Sequence, residues 1–136
     1  TVPVTMLCAN LQDVAIEDAS IVVLNFTLQF IPPGRRREFL AEVNEARRPG
    51  GILVLSEKVL SPAPDLNRAF IDIYLDVKRR NGYSETEISR KREALENVLI
   101  PFSVKENIDL LTEAGFTSHE TFFQWFNFAS IVAVKN

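Results

Sequence analysis

Two four-residue stretches of the chain consist of Ile, Val and Leu alone, and many of the other apolar residues recur at helical or alternating spacing. Ile21-Val22-Val23-Leu24 and Ile52-Leu53-Val54-Leu55 are the unbroken runs, the pattern of strands buried on both faces of a parallel sheet. Between them Pro32-Pro33-Gly34 opens a helix with Phe39, Leu40, Val43 and Ala46 on one stripe. Its charges Arg35, Arg36, Arg37, Glu38, Glu42, Glu45 and Arg47 fall mostly elsewhere, as on a solvated face, and Pro49-Gly50-Gly51 ends it. Strand, helix and strand in this order predict a right-handed crossover. Upstream, residues 2–9 read as a short strand, and residues 10–13 as a polar break.

Downstream of residue 59 the alternation stops. Leu66, Phe70, Ile73 and Val77 step as the core stripe of a helix that Asn81-Gly82 breaks. Ser84 and Glu87 have capping-box spacing, and the helix after them carries Ile88, Leu95, Leu99 and also Arg92 on one face. A guanidinium on an apolar stripe either snorkels to water or meets an anion. Ser103 and Glu106 form a second capping box, followed by Val104, Ile108, Leu111 and Ala114 on a core face and by Gly115 as the helix stop. Residues 116–126 and 128–134 read as two antiparallel strands around Asn127.

Polar residues at strand ends are the first candidates for chemistry, because ligands of open α/β sheets bind outside the carboxyl ends of strands. Asn25 follows the first apolar run, where it either caps a turn or faces a ligand. Ser56-Glu57-Lys58 ends the second run, where an exit to solvent is the plainer alternative.

Composition narrows the picture. A length of 136 residues suits one domain, and the net charge of −3 argues against a general nucleic-acid surface. The basic groups at 35–37 and 78–80 form either a local phosphate-binding surface or, with no nucleic-acid module around them, the favoured solvated faces, and direct nucleic-acid binding is not expected. The single cysteine, Cys8, lies in an apolar run and reads as a buried thiol in a reducing compartment. His119 is the lone histidine and reads as a surface residue; no catalytic triad or metal cluster assembles around it. No apolar run is long enough for a membrane span, so a cytoplasmic location is expected.

The element order matches the second half of a Rossmann-like class I methyltransferase fold, an α/β architecture. The runs IVVLNFTLQF (21–30), PGGILVLSEK (49–58) and KRRNGYSETEISRKREALENV (78–98), with the ending FFQWFNFASIVAVK, resemble the carboxy-S-adenosyl-L-methionine synthase family. The third run is the most specific, because ordinary methyltransferases carry a different insert there. The resemblance covers essentially the whole chain, with residues 60–100 as a helical insert.

The resemblance implies an enzyme that converts S-adenosyl-L-methionine and prephenate into carboxy-S-adenosyl-L-methionine and phenylpyruvate, the product serving wobble-uridine modification of transfer RNA. It implies a homodimer. Matched residue by residue, Asn25 lines the cofactor pocket, Arg92 holds the carboxylate of the carboxymethyl sulfonium, and Asn10 and Leu11 lie beside the adenine. A planar, permanently charged fork suits a carboxylate. The family's chemistry, capture by a sulfonium ylide of carbon dioxide released from prephenate, asks for positioning and dryness rather than a nucleophile.

Two departures stand out. Asn10 occupies a position where the family has Asp, leaving one amide oxygen as acceptor. No Gly-x-Gly occurs, and the sequence begins at what corresponds to the third strand of the fold. With the first two strands missing, strand 21–26 is expected to become an edge that residues 2–9 or a second chain must cover. Two other functions therefore stand beside the enzyme: a catalytically incompetent half-domain acting in dimerisation or binding, and an ordinary methyltransferase.

Overall fold

Strand β1 (Ala19–Asn25) leads through helix α1 (Pro33–Ala46) to strand β2 (Arg47–Leu60), which pairs parallel with β1 from Ile21↔Ile52 to Asn25↔Ser56. This is the crossover unit the sequence predicts. The computed structural model describes residues 1–135. Helices α2 (Pro64–Arg80) and α3 (Glu85–Leu95) form the insert; β3 (Phe102–Ser103) and α4 (Val104–Glu113) follow. The hairpin of β4 (Ser118–Trp125) and β5 (Phe128–Val134) then closes the sheet. The strand order is β1-β2-β5-β4, with β5 antiparallel to both neighbours and β3 pairing the end of β2.

Alternation along the strands decides what is buried. Val22, Leu24, Leu53, Leu55, Ile131 and Ala133 point into one core with Phe39, Leu40 and Val43 of α1 and Leu111 of α4. The opposite face carries Ile21 and Val23, which are 59% and 60% exposed, and half-buried Ile52, Val54 and Val132. The expectation of strands buried on both faces therefore fails for β1. It has a neighbour on one side only, and α1 and α4 cover a single face.

Residues 2–9 form no strand, and Val2, Val4, Met6 and Leu7 are all more than 70% exposed. Extended backbone without a ladder partner has nothing to bury these side chains against, so they do not cover β1. Cys8 goes with them: the thiol is exposed, not buried.

Both capping boxes are present, with Ser84 and Ser103 each accepting from the backbone three residues on and Glu87 and Glu106 reaching back. Gly115 takes φ +93° after α4, a left-handed stop that a side chain would strain. The Pro49-Gly50-Gly51 group does not end α1. It lies within β2, where the register with β1 slips between Ala19 and Ile21.

The α2 stripe is a second correction. None of its residues is buried, and Leu66 is 54% exposed. The helix leans on the hairpin tip, Phe70 against Phe126 at 5.5 Å and Tyr74 against Phe128 at 5.1 Å. α3 ends at Leu95, short of Leu99, and buries only Ile88.

Candidate cofactor and anion site

The carboxyl ends of β1 and β2 meet where Asn25 stands opposite Ser56. Asn25 is exposed, on the sheet face that α1 and α4 leave open. The next residue, Phe26, takes φ +52°, uncommon for an aromatic side chain. Its N–H reaches Ser56 O at 2.8 Å and its ring meets Phe128 edge-on at 5.7 Å. The chain thus turns away sharply after Asn25.

The 3-10 turn Leu28–Phe30 behind Asn25 is held by buried charge. Glu57 Oε1 and Oε2 accept the N–H groups of Leu28 and Gln29 at 3.1 and 2.9 Å. Gln29 Oε1 in turn accepts the Lys58 N–H at 2.8 Å. From the far side Arg36 donates to Ile31 O, Gln29 O and Ile100 O at 2.8, 3.0 and 2.7 Å. Its guanidinium stacks on Phe102, 4.4 Å from the ring centre.

Burial pushes the Glu57 carboxyl up to about 7, against the opposing pull of the Gln29 and Leu28 N–H groups and of Arg36. Neither Glu57 nor Arg36 reads this way in the sequence. Glu57 is not an exit to solvent but 4% exposed, and Arg36 is not on a solvated face but 1% exposed. Arg47 is likewise buried, bonded to Asn44 Oδ1 and to Gly51 O and stacked on Phe116. A guanidinium that finds several carbonyls can be buried where an isolated charge cannot.

Beyond Ser56 on the open face stands Lys58, half-buried, with its Nζ 5.2 Å from the Tyr74 ring centre. Lys78, one helical turn past Tyr74 on α2, places its Nζ 4.6 Å from the same ring. Burial, then Lys78, Arg92 and Lys91, lower the Lys58 pKa. The cations of β2 and α2 therefore meet on one ring, and Lys91 and Arg92 of α3 act on Lys58 through their charge.

Arg92 is exposed on α3 and belongs to this group through its effect on Lys58. Asn10 and Leu11 do not. The Asn10 Oδ1 accepts the Gln12 N–H at 3.2 Å, capping the turn Leu11–Asp13, so its one amide oxygen is engaged locally. Leu11 packs on the core and lines, with Phe39 and Val43 of α1, a cavity of about 180 Å³ to which neither Asn25 nor any of the four cations contributes. Tyr74 does not read as a site residue in the sequence, and Lys78 reads there only as part of the basic group 78–80. A further signal is that this aromatic and this lysine stand four residues apart on one helix face.

Solved structures define the class first. The fold is that of class I S-adenosylmethionine-dependent methyltransferases. Human N-acetylserotonin methyltransferase in complex with SAM matches 94% of this chain and 32% of its own at TM-score 0.61 and 17% identity. An O-methyltransferase family 2 protein from Planctomyces limnophilus matches 94% and 33% at TM-score 0.62 and 15% identity.

Curated sequences then narrow it. The carboxy-S-adenosyl-L-methionine synthase of Citrifermentans bemidjiense is 55% identical over 135 residues, 99% of this chain and 55% of its own length. That of Aliivibrio fischeri is 50% identical over 133 residues, 98% of this chain and 55% of its own. No family model matches. The chain is a homologue of the carboxy-S-adenosyl-L-methionine synthases and spans about half the length of these relatives.

Proposed function

We propose that the chain carries the anion-binding part of an enzyme that makes carboxy-S-adenosyl-L-methionine from S-adenosyl-L-methionine and prephenate. The observation that favours this most is the position of Arg92. The residue matched to the family's carboxylate ligand lies within electrostatic reach of Lys58, which shares the open sheet face with Asn25. Positive charge gathered there, with no carboxylate paired to it among the described residues, suits a sulfonium bearing a new carboxylate.

In this reading Asn25 lines the cofactor pocket and Arg92 takes the carboxylate bidentately. Asn10 and Leu11 sit apart as capping and packing residues, so an adenine contact requires the 10–13 turn to approach from its own side of the sheet. The Glu57–Arg36 grip keeps the turn behind Asn25 in place. None of these groups is a nucleophile, as expected where the bound S-adenosyl-L-methionine supplies the reacting carbon and prephenate the carboxyl group. The residues that cradle the methionine end are not in a Gly-rich turn of these 136 residues.

A second reading, an assembly module, is favoured by the uncovered β1 edge with Ile21 and Val23 exposed. A second copy of the chain pairing there would make the expected homodimer. Among the described residues no helix is long and apolar enough to cross a membrane.

Mass spectrometry of a mixture of the protein, S-adenosyl-L-methionine and prephenate tests the first reading. A product heavier than the substrate by one carboxylate, formed only with prephenate, supports it. Transfer of a methyl group instead would indicate an ordinary methyltransferase. Binding of S-adenosylhomocysteine with neither reaction would leave the module.

A further inference from the structure

The cations around Tyr74 are unusual for what they lack. Arg79 and Arg80, in the same turn of α2 as Lys78, are each paired, with Glu85 at 2.6 Å and Asp76 at 2.7 Å. Those two acids are thereby occupied. Lys58, Lys78, Lys91 and Arg92 have no ion pair among the described residues, although Lys58 is half-buried. Like charges gathered without a counter-charge repel one another, and burying one of them adds a desolvation cost. Stacking on Tyr74 offsets part of this, since the face of an aromatic ring attracts a cation. Two ammonium groups on one ring still leave the positive charge unbalanced.

The second feature is the wall beside these cations. Tyr74 meets Phe128 at 5.1 Å, and Phe128 also meets Phe26 at 5.7 Å and Trp125 at 6.0 Å. Phe128 lies directly opposite Lys58 in the β2–β5 register. Charge and aromatic surface therefore share one place. Free phosphate or a nucleic-acid backbone would use the charge but has no need of the wall at its side. A small organic acid with a flat apolar body uses both.

We propose that Lys58, Tyr74 and Lys78 form a subsite for a ring-bearing carboxylate, the ammonium groups holding the carboxylate and the Tyr74–Phe128 pair receiving the ring. The subsite rests on the proposed function in that such an acid is the co-substrate class of that reaction. Arg92 acts on Lys58 through its charge and is separate in role: Arg92 serves the carboxylated cofactor, Lys58 and Lys78 the incoming acid. Lys58 and Lys78 then determine which acid is accepted.

Trp125 is the single tryptophan and touches Phe128, so its fluorescence reports on the wall. Phenylpyruvate serves as the probe. The expected result is saturable quenching with a dissociation constant of about 1 mM or tighter. Affinity should fall about tenfold in Lys58→Gln and in Lys78→Gln, and stay unchanged in Arg90→Gln, an exposed control on α3. Phenylethanol, with the ring but no carboxylate, should not compete, and inorganic phosphate should compete far more weakly than phenylpyruvate. Equal affinity in the lysine variants, no saturation by about 10 mM, or equal competition by phosphate would overturn the subsite. Circular dichroism of each variant shows whether a loss reflects unfolding; charge-retaining Lys58→Arg should restore binding in part. Calorimetry with S-adenosylhomocysteine, run separately, distinguishes failure of the subsite from failure of the enzyme reading. Cofactor binding that persists while the lysine variants behave as wild type sinks only the subsite.

Discussion

Glu57 and Arg36 grip one short turn from opposite sides. The carboxylate takes the Leu28 and Gln29 N–H groups, and the guanidinium takes the Gln29 carbonyl. The turn begins three residues after Asn25, so this grip fixes the backbone just beyond the strand end.

The grip has a pH signature. Glu57 protonates near 7 when folded and near its ordinary value of 4.5 when unfolded. Between these values the folded chain holds more protons, so stability falls as pH rises from about 4.5 to about 7 and then levels off. The full change is at most about 3 kcal/mol. Urea melts across this range should show the decline, and Glu57→Gln should flatten it while lowering stability at pH 5. A slope of the opposite sign in this range, abolished by the same variant, would contradict the assignment.

Arg36 ties three carbonyls from two parts of the chain, including Ile100 at the end of the insert. Arg36→Met leaves buried acceptors unpaired and should cost about 2–4 kcal/mol in a denaturant melt. Arg36→Lys should recover only part of this, because an ammonium cannot reproduce the planar fork. Full recovery by lysine would mean that charge alone matters.

The two capping boxes should behave differently. Ser103→Ala uncaps α4, whose Leu111 lies in the core, and should cost about 1 kcal/mol of global stability. Ser84→Ala uncaps α3, which buries only Ile88. Its effect should appear as faster amide exchange in α3 with little change in the global melt.

The β1 edge is an association surface if the homodimer forms there. Val23→Lys places a charge beside the open ladder and should weaken self-association about tenfold in sedimentation runs. Monomer stability should change by no more than about 0.5 kcal/mol, since Val23 is 60% exposed. Unchanged association would move the dimer contact elsewhere.

The parallel crossover, both capping boxes, the Gly115 stop and the closing hairpin were legible because each rests on local pattern. What failed depended on neighbours. An apolar run such as 21–24 reads as a strand buried on both faces whether or not a second helical layer is there to cover it. The α2 stripe is amphipathic in the same way, yet little packs on it. Arg36 and Arg47 read as solvated because helical periodicity cannot tell which carbonyls the fold will bring within reach. Asn25 and Arg92 are candidates from their places, a strand end and an apolar stripe, and from the resemblance, whereas Lys58, Tyr74 and Lys78 meet only in three dimensions.

In the proposed enzyme the charge around Arg92 receives the carboxylate of carboxy-S-adenosyl-L-methionine. Calorimetry comparing this ligand with S-adenosyl-L-methionine, in wild type and Arg92→Ala, tests it most directly. The account predicts at least about tenfold preference for the carboxylated ligand in wild type and its loss in the variant. Equal affinity for the two ligands in wild type, or a preference that survives Arg92→Ala, would contradict it.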